Sequence, residues 1–324
     1  MKSIKDIFSF FKKQGKSCLL KQHFTFFIIG LFCSCTNMTK THDESIVEAL
    51  IDSLNYHRET QDGEKILFYV DTLKTLGVNM PNVALEYAVA YAYMGNFDKG
   101  IQILKDSIGT STKPQLLYNE LGSICLAKGD TASAIIAYKQ ALECNPNYAR
   151  PYINLAELYK CKKEKELAIN HYFEAIKLFA QYEYYEEMGN FATEILNIDS
   201  TNIEANKFLQ YYYYKEKDYK TALAIGLEID KLCVVQNRLK DGYANMYFMG
   251  MILFEMGEYE KSISLMHQAS EDDETVNEYG YSICCYVSAS YRKLGDNENA
   301  DYFLELAKKI NTKAEEYINS LLVK

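Results

Sequence analysis

The chain has 324 residues, 35 Lys and Arg against 44 Asp and Glu, a formal net charge of −9, 48% apolar residues and only four Pro. An acidic surface is repelled by phosphate backbones and anionic head groups, which excludes nucleic acid as an expected partner. So apolar and Pro-poor a composition fits stacked helices, and a repeat array is not held to the usual domain size.

The first predicted element is an export segment, residues 1–34. Six lysines (Lys2, Lys5, Lys12, Lys13, Lys16 and Lys21) precede an uncharged apolar run from Phe24 to Phe32. That run is shorter than the ~20 residues that span a bilayer, so it reads as a cleaved signal instead of a membrane anchor. Its end, Phe32-Cys33-Ser34-Cys35, resembles the cleavage box of bacterial lipoproteins, in which a small residue precedes the Cys that is lipidated. Ser34 is small and Phe32 is not, which selects Cys35 over Cys33 as the lipidation site. The resemblance implies a protein of the bacterial cell envelope, lipid-anchored to a membrane on its periplasmic or surface face, with residues 35–46 as a polar tether. Removing the segment takes away six Lys and one Asp and leaves 29 basic against 43 acidic residues, a net charge of −14.

Helical periodicity follows. Residues 47–80 keep Leu50, Leu54, Ile66, Val70 and Leu73 on one face and read as a degenerate repeat or an N-terminal cap. Residues 81–114 place Tyr91, Gly95, Asn96, Gly100 and Leu104 34 positions ahead of Cys125, Gly129, Asp130, Ala134 and Tyr138. The stretch 115–148 is the clearest. Gly122 and Ala134 are small where two helices would cross, and Tyr118, Leu121, Tyr138 and Leu142 form apolar stripes. Gly129-Asp130 ends one helix and caps the next, and Asn145-Pro146 ends the second. With Tyr118, Gly122, Gly129, Ala134 and Pro146 at these offsets the stretch resembles a tetratricopeptide repeat (TPR), a 34-residue helix-turn-helix.

The phase continues through 149–182 (Tyr152, Leu155, Ala156, Ala168, Tyr172), where Lys163 replaces the turn Gly. It then runs through 203–236 (Leu209, Tyr213, Tyr219, Ala222, Ile229), 243–276 (Gly250, Gly257, Tyr259, Ala269) and 281–314 (Tyr291, Gly295, Ala300, Leu304). Residues 183–202 are out of phase and read as an irregular helical insertion: either one added helix or a longer hairpin sharing its first half with the preceding repeat. Residues 315–324 end a C-terminal capping helix. The predicted fold is all-α, and the resemblance implies a right-handed α-solenoid of stacked antiparallel helix pairs.

Catalytic and metal motifs are lacking. Downstream of the export segment the histidines are His42, His57, His171 and His267, with no H-E-x-x-H arrangement. The cysteines Cys125, Cys144, Cys161, Cys233, Cys284 and Cys285 form no C-x-x-C pair, and Cys125 and Cys284 stand at core positions. Glu271 to Glu274 lacks calcium-loop spacing and reads as a solvated loop between repeats. No catalytic, cofactor-binding or metal-binding residue is assigned, and an enzyme is not expected.

Function is therefore expected on the surface. The resemblance implies a groove lined by the first helix of each repeat. The family's offsets give Lys207, Tyr211 and Tyr214 from one repeat and Tyr247, Met251 and Phe254 from another. Aromatic and Met side chains at such positions would hold an apolar or aromatic peptide or a partner helix. Alternatively, these rings are buried against neighbouring repeats or covered by the last helix, Thr312 to Leu322. The carboxylate clamp of some family members is not matched, since its positions hold Leu85, Val89, Glu120, Arg150 and Asn154. The expected protein is a membrane-tethered, non-catalytic scaffold that binds a protein or peptide; the alternative is a sensory receptor passing peptide occupancy to a separate signalling partner.

Overall fold

The structure, a computed structural model, describes residues 40–78 and 83–323, with side chains from residue 45 onward. The export segment and Cys35 lie outside the described residues. Every regular element described is a helix. In chain order these are α1 (Lys40–Glu59), α2 (Gly63–Thr75), α3 (Val83–Tyr93), α4 (Phe97–Ile108), α5 (Pro114–Ala127), α6 (Thr131–Cys144), α7 (Ala149–Cys161) and α8 (Lys165–Gln181). There follow α9 (Tyr185–Ile198), α10 (Ile203–Lys215), α11 (Tyr219–Val235), α12 (Leu239–Glu255), α13 (Tyr259–Ala269), α14 (Asp273–Leu294), α15 (Asn297–Ile310) and α16 (Ala314–Val323). The chain is an all-α solenoid of consecutive helical hairpins, divided into two units between Ile103 and Leu104.

In the first unit, Leu50 and Leu54 of α1 meet Ile66, Tyr69, Val70 and Leu73 of α2 and Ala90 of α3. Gly63 opens α2 because a Cβ there would stand 2.3 Å from the carbonyl oxygen of Ala90. Arg58 pairs with the largely buried Glu86 at 2.9 Å, and His57 is buried against Tyr69, ring centroids 5.5 Å apart. Residues 40–46, expected as part of the tether, are instead the first turns of α1.

In the second unit each helix from α5 to α16 packs on the next, α5 also meeting α7 and α14 also meeting α12 and α16. One turn recurs. The amide of Gly129 donates to the carbonyl of Leu126 and that of Asp130 to Cys125, at 2.9 and 2.8 Å, with Gly129 at φ +92°. This two-bond closure satisfies the last carbonyls of α5 and requires a left-handed residue. The same pair of bonds recurs at Gly257-Glu258 and Gly295-Asp296, but also at Lys163-Glu164, Glu183-Tyr184, Lys217-Asp218 and Asn237-Arg238, where the left-handed residue carries a side chain. Asp130, Asp218, Asp272 and Asp296 accept the N3 amide of the helix they precede. A different link, with an extended C-cap at Asn145, Asp199 or Asn311, follows α6, α9 and α15. Pro146 sits just beyond the first of these, exposed.

Helix crossings use small residues. A Cβ on Gly122 would lie 2.6 Å from the Tyr138 ring, and one on Gly250 2.9 Å from Met266. Ala134 and Ala300 are fully buried, while Tyr118 is half-buried. Residues 183–202 form a regular helix, α9, whose Met188, Ala192 and Ile195 are buried with Tyr172 and Ile176 of α8 and Ala205 of α10. It is one added helix, and α8 serves as a packing partner on both sides. Of the acidic stretch expected as a loop between repeats, Glu271 and Asp272 lie in the link between α13 and α14, whereas Asp273 and Glu274 are helical. Asp272 caps α14 while Asp273 and Glu274 occupy its first turn, where the helix dipole favours negative charge.

Candidate protein-binding face

Helices α10, α12, α14 and α16 of the second unit are joined by aromatic rings. Tyr211 of α10 meets Tyr185 of α9 at 5.7 Å and Phe248 of α12 at 6.1 Å; Tyr214 meets the same Phe248 at 5.2 Å and Tyr219 at 5.9 Å. Tyr247 of α12 stacks on Tyr279 of α14 at 4.6 Å, and Tyr281 of α14 on Tyr317 of α16 at 6.0 Å. Such pairs contribute beyond the area they bury, so the rings order the face as well as line it.

The expected groove residues divide into three groups. Tyr211 and Tyr214 are half-buried and carry the open part of the row. Lys215 lies over the rings of Tyr185 and Tyr211, 4.7 and 5.5 Å from their centroids, and places a cation beside them. Burial pushes the Tyr211 and Tyr214 hydroxyls up, so both stay neutral donors at physiological pH.

Tyr247 and Phe254, in contrast, are core residues. They are 9% and 4% exposed and share one apolar cluster with Met266, Ile283, Tyr286, Ala314, Ile318 and Leu321. Phe254 lies edge-on to Tyr259 and Tyr286, at 5.4 and 5.2 Å. Of the two arrangements the sequence leaves open, these rings take the covered one, and α16 contributes to the cover. Lys293 ties that helix down by donating to the carbonyl of Leu322 at 2.9 Å. Met251 is half-buried against the same cluster.

Lys207 is not an available cation. Its ammonium meets Asp241 at 2.5 Å and Glu204 at 3.3 Å, while Arg238 meets the same Glu204 at 2.8 Å and the same Asp241 at 2.6 Å. Burial raises the Asp241 carboxyl, but hydrogen bonds from Lys207 and Arg238 outweigh it and hold the group below the usual carboxylate range. This closed ring of two cations and two anions fastens α10 to α12. A second knot joins Lys160 to Glu157 and Glu194 at 2.8 and 3.0 Å, with the Tyr172 hydroxyl donating to Glu157.

Phe248 was not legible as a face residue. Family offsets place Tyr247 there, yet on a helix one residue is about 100° of rotation, enough to exchange a buried ring for a half-exposed one. Tyr185, at the start of α9, joins the row through Tyr211 although no family offset places it there. Among the described residues there is no group of three or more His, Cys, Asp or Glu placed to hold a metal ion. Cys125, Cys233 and Cys285 are buried, their thiols pushed up by that burial, and every described cysteine is unpaired. No described helix is long and apolar enough to cross a membrane.

Residues 122–163 match the sequence model of the TPR repeat. Over 95 residues, 29% of the chain, the sequence is 34% identical to the curated protein ycf37 of Cyanophora paradoxa, and it spans about half of that relative's length, 55%. Among solved structures, a tetratricopeptide repeat protein from Parabacteroides merdae is 18% identical, covering 74% of this chain and 96% of its own, with a TM-score of 0.36. YrrB, described as a TPR protein with an unusual peptide-binding site, is 16% identical, covering 64% and 92%, also with a TM-score of 0.36. The match at 122–163 runs from the crossing glycine of α5 to the left-handed turn after α7, and so includes most of the hairpin on which the repeat reading was built.

Proposed function

We propose that the chain is a non-catalytic protein-binding scaffold whose α10–α12 face takes a peptide or helix of a partner protein, and that a lipid on Cys35 tethers it to a bacterial envelope membrane. The observation that carries the binding half is the row Tyr185, Tyr211, Tyr214 and Phe248: four contiguous rings, half-buried in the free chain, with the Lys215 ammonium over two of them. Rings held by their neighbours offer large contact area at little entropic cost, and such residues dominate binding energies. The tethering half rests on Ser34-Cys35 after the basic and apolar stretches of residues 1–32.

Site-specific photocrosslinking in cell membranes tests the first half. A photoreactive residue at Tyr211 should give a discrete adduct that one at exposed Ile136 of α6 does not, and identical adduct patterns from the two positions would refute the reading. Fractionation tests the second: Cys35→Ser should release the protein from membranes, and continued membrane association would refute the tether.

A further inference from the structure

Where α11 turns into α12, an open pocket of about 200 Å³ is walled by Cys233, Leu239, Tyr243 and Met246, with the carboxylates of Asp230 and Glu271 among its lining. Asp230 is half-buried and accepts a hydrogen bond from Asn245 Nδ2 at 2.6 Å. Neither carboxylate has a basic partner among the described residues, and the basic residues close in sequence are paired elsewhere. Lys207 and Arg238 are held by Glu204 and Asp241, Lys231 by Glu228, and Lys240 by Glu274. A carboxylate withdrawn from water without a cation is raised in energy, and burial does push Asp230 above the usual range. Val234, which also lines the pocket, and its chain neighbour Val235 are 71% and 81% exposed, so apolar side chains face solvent beside it.

We propose that this pocket receives the side chain of an arginine or lysine from a partner protein, the aliphatic stem lying against Leu239 and Met246 and the cationic head between Asp230 and Glu271. A long basic side chain combines the two features the pocket asks for, an apolar stem and a charged tip. Its charge also complements a chain whose net charge is −9. Val234 and Val235 would then contact apolar residues flanking the basic one. The site uses none of the four rings of the α10–α12 face; it rests on the reading of the chain as a protein binder and adds a second, chemically defined anchor to it.

Titration of the full-length chain with single amino-acid amides tests the assignment, read by the Gly242 amide and Met246 methyl resonances. Arginine amide or lysine amide should shift both saturably, which also tells guanidinium from ammonium, whereas citrulline amide and norleucine amide should not. Asp230→Asn and Glu271→Gln should each weaken the effect at least tenfold. Equal shifts from citrulline, or wild-type titration by both variants, would overturn the proposal, as would silence from every amide. Glu271 is exposed, so its variant keeps the test valid should Asp230→Asn fold poorly. Photocrosslinking at Tyr211 reports on the other face, so either reading can fail alone.

Discussion

The hydroxyl of Ser288 donates to the carbonyl of Ala300 at 2.7 Å, across the crossing of α14 and α15. One hairpin earlier the bond is reversed in sense: Ser262 of α13 donates to the carbonyl of Gly250 on α12, also at 2.7 Å. Ser288 stands at the repeat offset of Gly122 and Gly250, and Ser262 at that of Ala134 and Ala300. Both are fully buried. Serine is small enough for the crossing and gives its hydroxyl the acceptor that a buried donor requires. Ser288→Ala should therefore lower unfolding free energy by about 1 kcal/mol, and Ser288→Val, which adds volume at a closed crossing, by more. Urea denaturation at constant m-value measures both; no change for Ser288→Ala would show the bond to be incidental.

Gly122→Ala tests the clearest crossing. The new Cβ would come within 2.6 Å of the Tyr138 ring, which is 1% exposed and has nowhere to move. Overpacking of this kind costs ~1–3 kcal/mol, and the gain in helix propensity of roughly 1 kcal/mol offsets part of it. A net loss of stability is expected, and Tyr138→Phe in the same chain should not restore it because the clash is with ring carbons. A thermal midpoint equal to or above wild type would contradict the geometry.

The left-handed turns offer the opposite outcome. Lys163, Glu183 and Lys217 have φ values of 62°, 59° and 61°, a region that disfavours a side chain by roughly 1–2 kcal/mol. Glycine at each position should raise stability, less the entropy it returns to the unfolded chain. The measured gain per turn should be at most ~1 kcal/mol. Differential scanning of the single and triple glycine variants checks this, and a lowered midpoint in all three would mean that the side chains make contacts outweighing the strain.

These turns show what the sequence made legible. Gly129, Gly257 and Gly295 announce their turns because glycine is the residue a left-handed C-terminus favours, and the hairpins around them were placed from the sequence. Glu183 gives no such signal, so α9 read as irregular although its turn makes the same two bonds as Gly129. Asp273 and Glu274 read as part of a loop because charge alone does not separate a solvated turn from the acidic first turn of a helix. Lys207 was legible as a surface cation but not as a member of a closed ring, since Asp241 lies 34 residues away and only packing brings it, with Arg238, to Lys207 and Glu204.

Acid should loosen the chain in two steps. His57 and His171 are held below the ordinary imidazole value of 6.5, first by burial and then by Lys65 and Lys139 respectively. The unfolded chain then binds protons more readily, so stability is full above pH 6.5 and declines as pH falls below it. The capping carboxylates Asp130 and Asp218 lie below the ordinary 3.8, lowered by hydrogen bonds from Ser133 and Thr221. Their contribution is present above pH 3.8 and is lost as pH falls through the depressed values. The double variant His57→Phe, His171→Phe should flatten the thermal midpoint between pH 7 and 5 and leave the lower step in place. A profile identical to wild type over that range would assign the upper step to other groups.

The division of the aromatic row makes the last prediction. Tyr247 and Phe254 are packed in a core that includes Ala314, Ile318 and Leu321 of α16, so alanine at either should cost ~3–5 kcal/mol, the range for truncating a buried ring. Tyr211 and Tyr214 are half-buried, and alanine there should cost less because part of each ring already faces water. For binding the order reverses. Tyr214→Ala and Phe248→Ala should abolish the adduct formed from position 211 at temperatures where the fold is intact, whereas Tyr247→Ala should reduce it only in proportion to the unfolded fraction. Deleting residues 314–324 separates the remaining possibility: if α16 only completes the core, the truncated chain loses stability and binds no better. Tighter binding after truncation would instead make that helix a competitor for the face, with Tyr317, now against Tyr281 and Tyr286, as the side chain that a partner displaces.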